Sequence, residues 1–146
     1  MKILVMGLPG SGKTTLSESI VAKITSTVDW FNADIVRTEY NDWDFSEEGR
    51  LRQCDRMISL SDSSSSKFTI CDFVAPTEII RQRFDSDIII WMNTIPSSIF
   101  DDTNAIFEIP EKYDIEVTTK NSDYWSDFCI DFIENYYDNS ITTSTI

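Results

Sequence analysis

Residues 7–14 read GLPGSGKT, with glycine at the first and sixth positions and then a lysine and a hydroxyl residue. That spacing suits one kind of chemistry, holding the phosphates of a nucleoside triphosphate. Glycine permits backbone conformations closed to other residues, so successive N–H groups can turn inward onto phosphate oxygens. Gly7, Pro9, Gly10, Ser11 and Gly12 are therefore the expected cradle, continued by Lys13, Thr14 and Thr15. Lys13 brings a mobile positive charge to the β and γ phosphates, and the Thr14 hydroxyl is placed for Mg²⁺. An apolar run, KILVM at residues 2–6, precedes the loop, and a helical pattern at 13–24 follows it. This is the strand–loop–helix context in which the helix also points its positive end at the bound anion.

The chain has no histidine, so a general base has to be a carboxylate. Asp34 follows the second predicted strand, where a carboxylate reaches the γ-phosphate region and can orient or accept a hydroxyl proton; it could also cap a short helix at residues 35–40. Asp72 follows the apolar FTIC run, a position from which an acid holds Mg²⁺ directly or through water, or else makes a structural hydrogen bond. Arg37 and Arg50 can grip an anionic acceptor with two-pronged bonds, against the alternative of surface ion pairs with the many acids.

Hydrophobic residues make up 41% of the 146 and aromatics 12%, which suits one globular domain. We expect that domain over residues 1–137 and a frayed tail over 138–146. No apolar run approaches the ~20 residues of a membrane span, and the opening is broken too early by glycine for a signal peptide, so a cytoplasmic location is expected. Cys54, Cys71 and Cys129 are odd in number and widely spaced, which suggests buried thiols rather than disulfides or a zinc site. A net charge of −13, from 25 acidic and 12 basic residues, disfavours broad nucleic-acid binding and leaves small anionic ligands open.

The positioning elements follow from apolar patterning. Strands are expected at residues 2–6, 28–31, 68–74, 87–92 and 113–119, with helices at 13–24, from Ser46 to about 60, from Pro76 to 84 and at 122–137. Ser61 to Ser66, SDSSSS, reads as a polar turn. Continuous apolar strands alternating with helices indicate an α/β fold, a parallel sheet covered on both faces, whose ligands bind at the carboxyl ends of the strands.

Further segments, NADIVR (32–37), FSEEGR (45–50), DFVAP (72–76) and FEIPEKYDIEV (107–117), follow the loop in order. Together they resemble the adenylylsulfate kinase (APS kinase) family, over residues 1 to about 119. The resemblance implies a three-layer α/β/α P-loop kinase fold with a five-stranded parallel sheet in the order 2-3-1-4-5. It also implies transfer of the γ-phosphate of ATP, with Mg²⁺, to the 3′-hydroxyl of adenosine 5′-phosphosulfate or a similar small nucleotide-like acceptor. Asp34 and Arg37 fall on the second aspartate and the arginine of the family's D-G-D-N-x-R run, which with Lys13 implies a catalytic role. Phe45, Ser46 and Arg50 match its F-S-x-x-D-R helix start, with Gly49 in place of the aspartate, and Gln53 falls on its asparagine. Phe73 and Val74 match the F-I-S-P loop on the acceptor side, and Pro110 the Y-E-x-P-E segment on the adenine side. Phe45 suits stacking on an acceptor base, or a core staple at the helix start.

The chain also departs from this family. Residues 84–111, where a basic lid is expected, contain no lysine or arginine. Arg81 and Arg83 are candidates to replace the lid arginine from another direction. Glu78 stands where the family has an arginine and would work against a doubly charged acceptor. Asp72, where the family has a small residue, brings the chain closer to polynucleotide and nucleoside kinases. Two other readings therefore stand beside the first: a kinase of another hydroxyl, on a modified base, nucleoside or polynucleotide end, and a non-catalytic nucleotide-binding switch. Tyr40 and Trp43 could serve an interface between two copies in a dimer or an acceptor pocket.

Overall fold

The structure, a computed structural model, describes residues 1–144. The elements in chain order are β1 (Lys2–Gly7), α1 (Lys13–Lys23), β2 (Val28–Asn32), α2 (Ala33–Tyr40), α3 (Glu47–Ser63), β3 (Phe68–Asp72), α4 (Glu78–Phe84), β4 (Ile88–Met92), α5 (Asp101–Ile106), β5 (Ile115–Val117) and α6 (Ser122–Ser144). All strand pairs are parallel and the order is β2-β3-β1-β4-β5, as the resemblance implied. Asn32 and Val5 both stand in register with Asp72, and Gly7 with Met92. The strand ends that carry the candidate residues thus form one edge.

Both faces of the sheet are covered, because β1, β3 and β4 alternate apolar side chains between two cores. Ile3, Val5, Ile70 and Ile90 point to the face closed by Leu16 and Ile20 of α1 and Cys129 and Ile133 of α6. Leu4, Met6, Cys71 and Trp91 point to the other, closed by Val36, Cys54, Met57, Ile80 and Phe84 of α2, α3 and α4. Fully burying side chains such as Phe68 and Phe84 contributes about 1.5–3 kcal/mol each, and this packing holds the short strands in place. The three cysteines are free and buried, as expected.

Several boundaries differ from the expected ones. Strand β3 ends at Asp72, because after Phe73, whose N–H reaches the Val5 carbonyl, the chain turns through Ala75 at φ +45°. Helix α4 begins at Glu78 with Thr77 as its cap, two residues later than Pro76 suggested. Helix α5 was not expected; Asn104 secures it by bonding Ser98 through both amide ends. Helix α6 is assigned over Ser122–Ser144, and residues 145–146 of the expected tail lie outside the described ones. Among the described residues no helix is long and apolar enough to cross a membrane.

Candidate functional site

The loop between β1 and α1 is shaped by glycine where no other residue fits. Gly7 has φ +153°, and a Cβ there would lie 2.8 Å from the Met92 carbonyl oxygen and 2.9 Å from Ser11 Oγ. Gly12, at φ +101°, occupies the cap position of α1, so the free first-turn N–H groups of the helix open toward the loop. Ser11 N–H donates to the Leu8 carbonyl (3.1 Å), and Thr94 Oγ1 pins the Ser11 carbonyl at 2.6 Å. Pro9, Gly10, Gly12, Lys13, Thr14 and Thr15 line a cavity of about 980 Å³, whereas Gly7 and Ser11, also expected in the cradle, are buried and absent from its wall.

Lys13 Nζ donates to the Leu8 carbonyl at 3.0 Å. Burial lowers its pKa to about 8, with Asp72 and then Asp34 opposing the shift. An ammonium so poorly solvated gains most from an incoming anion.

The Thr14 side chain belongs to a buried network. Asn32 Nδ2 donates to Thr14 Oγ1 at 3.0 Å and to Asp72 Oδ1 at 3.0 Å, and Trp30 Nε1 donates to Asp72 Oδ2 at 2.6 Å. Burial raises the Asp72 pKa, against the pull of the Trp30 and Asn32 bonds and of Lys13. No group of three or more His, Cys, Asp or Glu able to hold a metal occurs among the described residues. Thr14 and Asp72 nevertheless fit Mg²⁺, which takes one or two protein oxygens and fills its shell with water and phosphate.

The opposite wall comes from α2, α3 and the loop between them. Asn32 Oδ1 accepts the Ile35 N–H and caps α2, so the carboxylate of Asp34 is free of that duty and lines the cavity. Arg37 Nη1 donates to the carbonyls of Asp42 (2.9 Å) and Asp44 (3.2 Å), while Arg50 Nε donates to the Phe45 carbonyl (2.9 Å) and Nη2 to Thr103 Oγ1 (3.0 Å). Both guanidinium groups are buried and lie over the Phe45 ring, at 4.3 and 5.4 Å from its centroid. Burial is the main cause that lowers both pKa values. Gln53 Nε2 holds the Ala33 carbonyl at 3.0 Å, and Gln53, Phe73 and Val74 reach the same cavity. Trp43 lines it as well, whereas Tyr40 lies beneath Arg56, 4.3 Å away.

Other expectations need correction. Pro110 is buried and absent from the cavity wall, because its segment packs on the loop after β3, where Glu108 N–H meets the Pro76 carbonyl at 2.8 Å. Arg81 is buried and bonds the carbonyls of Ala75, Pro76 and Glu108, and Arg83 pairs with Asp55 on the outer surface, so neither replaces a lid arginine. Glu78 leans on Arg81, 3.7 Å away, and does not line the cavity. The sequence reading also missed part of the wall. Phe100 and Thr103 enter from the lid region, and Thr119, Lys120, Ser122 and Trp125 contribute from the segment after β5 and the start of α6. The signal for the last four was their place just beyond the fifth strand, at the edge where such sheets bind ligands.

The sequence and the fold are similar to those of known proteins. Residues 1–95 fit the family model described as adenylylsulphate kinase. The structure of the Mycobacterium tuberculosis APS kinase CysC in complex with AMPPNP and APS is similar at TM-score 0.80 and 16% identity, covering 91% of this chain and 96% of that one. A shikimate kinase from Aquifex aeolicus vf5 (TM-score 0.63, 15% identity, 92% and 97% covered) and a gluconokinase from Sinorhizobium meliloti 1021 (0.62, 15%, 95% and 97%) share the fold. A comparison with curated proteins finds no match. With the family model spanning well over half of the sequence, and with its phosphate loop and paired arginines opening on one cavity, the chain belongs to the adenylylsulfate kinase family.

Proposed function

We propose that this chain transfers the γ-phosphate of ATP to a hydroxyl of a nucleotide-like acceptor, with adenosine 5′-phosphosulfate the first to test. Family membership supports phosphotransfer to a hydroxyl group, and the relative bound to AMPPNP and APS supports ATP as donor. The observation that carries the reading is the pairing, in one cavity, of a phosphate cradle with a wall of two buried arginines on an aromatic ring. Lys13 neutralises donor phosphate charge and the loop N–H groups orient it. Thr14 and Asp72 are the residues that would hold Mg²⁺, which when bound would supply neutralisation of phosphate charge. Arg37 and Arg50 hold the acceptor's anionic group, Phe45, Trp43 and Phe73 offer faces to its base, and Asp34 takes or orients the hydroxyl proton.

The cation-free segment 84–111 favours a second reading, nucleotide binding without efficient transfer, because no lid arginine is there to meet developing phosphoryl charge. Coupled turnover across a panel of adenosine phosphosulfate, nucleosides and polynucleotide ends, beside calorimetric ATP binding, separates the readings. An acceptor that stimulates turnover supports the kinase. ATP binding with no stimulation by any acceptor overturns it in favour of the switch.

A further inference from the structure

Asn32 is the last residue of β2, buried, and has no role assigned so far beyond its bonds. Its side chain is almost fully used. Nδ2 donates to Thr14 Oγ1 at 3.0 Å and to Asp72 at 3.0 and 3.3 Å, and Oδ1 accepts the Ile35 N–H at 3.1 Å. The orientation is forced. A flipped amide would set its oxygen against the Asp72 carboxylate and its NH₂ against a helix N–H.

This arrangement has a chemical consequence for Thr14. Were Asp72 to meet that hydroxyl directly, the hydroxyl would donate to the carboxylate. With the amide between them, Thr14 Oγ1 is instead an acceptor on its protein side, and its remaining lone pair and proton are left for the cavity. The same amide caps α2, whose first turn carries Asp34 and whose last turn carries Arg37.

We propose that Asn32 is a positioning residue that sets the direction of the Thr14 hydroxyl toward a nucleotide-bound divalent cation and, through its other end, ties that hydroxyl to the start of the acceptor helix. The proposal rests on the nucleotide-site reading above. It implies two separable jobs for one side chain, a relay through Nδ2 and a helix cap through Oδ1.

The test exploits that separation. Serine and threonine are good helix caps but too short to bridge Thr14 and Asp72, so Asn32→Ser and Asn32→Thr keep the cap and remove the relay. Calorimetry with an ATP analogue, in Mg²⁺ and in EDTA, reads the gain in affinity that the metal brings. In both variants that gain should shrink by about tenfold, the size expected when an outer partner of a metal ligand is lost, while metal-free affinity stays within about twofold. An unchanged gain, or equal losses with and without Mg²⁺, overturns the proposal. If the wild type binds no nucleotide at all, it is the nucleotide-site reading that fails, and this proposal with it. Should the variants not fold, the wild type still decides. The Asn32 side-chain NH₂ must exchange slowly with solvent in the nucleotide complex by NMR, and solvent-like exchange overturns the relay.

Discussion

Arg37 and Arg50 share the ring of Phe45 and repel one another, and among the described residues neither has a carboxylate within ion-pair distance. The contrast with Arg52, Arg56 and Arg83, each paired to an aspartate, is informative in so acidic a chain. Two buried cations left unneutralised are costly unless an anion joins them.

Replacing either should therefore act on the acceptor. Arg37→Ala or Arg50→Ala is expected to raise the acceptor KM by about 10- to 100-fold, the worth of a charge-assisted bond, and leave the ATP KM within about threefold. Lysine should not rescue, since it lacks the planar fork. Steady-state kinetics with each substrate varied in turn check this. Equal movement of both constants would reduce the pair to props for the 42–45 loop.

Lys13 makes nucleotide binding pH-dependent. Its pKa in the free protein is lowered to about 8 by burial, and a bound polyphosphate favours the charged form and raises it again. A pKa that rises on binding means proton uptake, so affinity is full below about pH 8 and falls as pH climbs through that value. Calorimetry at pH 8 in buffers of different ionisation enthalpy should show the uptake, and Lys13→Ala should abolish it.

Asp34 is exposed to the cavity with its helix already capped by Asn32, so its carboxylate is available for chemistry. Asp34→Asn should leave ATP affinity nearly intact and lower the transfer rate by about 10²- to 10⁴-fold if the carboxylate acts on the hydroxyl proton. Single-turnover measurements isolate that step. Unchanged transfer removes Asp34 from the mechanism.

What could be read in the sequence follows how local each signal is. The phosphate loop was legible because Gly7, Gly12, Lys13 and Thr14 act through one short backbone turn, and the sheet was legible because its central strands β1, β3 and β4 are largely apolar runs. Asn32 was not, because its partners Thr14 and Asp72 lie 18 and 40 positions away and meet it only through the packing of α1 and the register of β2 with β3. Lys120 follows β5 and Trp125 lies on α6, and nothing local in either segment marks them; only the fold brings them to the cavity wall. Pro110 misled for the opposite reason: its motif survives in the chain, but the segment now braces the loop after β3.

Gly49 stands where the family has aspartate, and the space is taken. A Cβ there would collide with the carbonyl oxygen of Asp44 and lie 2.5 Å from its carboxyl carbon. Asp44 itself accepts the Ser46 N–H and pairs with Arg52. Gly49→Ala should cost about 1–3 kcal/mol by overpacking and displace the loop that carries Phe45, raising the acceptor KM as well. Gly49→Asp should be at least as damaging rather than a restoration. Denaturant unfolding measures the first effect and kinetics the second.

Arg81 offers the clearest choice between structure and catalysis. Its guanidinium holds the carbonyls of Ala75 (2.8 Å), Pro76 (3.2 Å) and Glu108 (2.6 Å), and Ala75 is kept at φ +45°, a conformation that an L residue adopts at a cost. Losing three bonds to a buried cation should destabilise Arg81→Ala by about 2–4 kcal/mol. The loop carrying Phe73 and Val74 would loosen, so the acceptor KM should rise while kcat stays within about fivefold at saturation. A lid arginine would behave the other way, with a rate loss of ~10³ at unchanged stability. Measuring unfolding and kcat on the same variant distinguishes the two, and a large kcat loss in a fully stable protein would return Arg81 to the reaction.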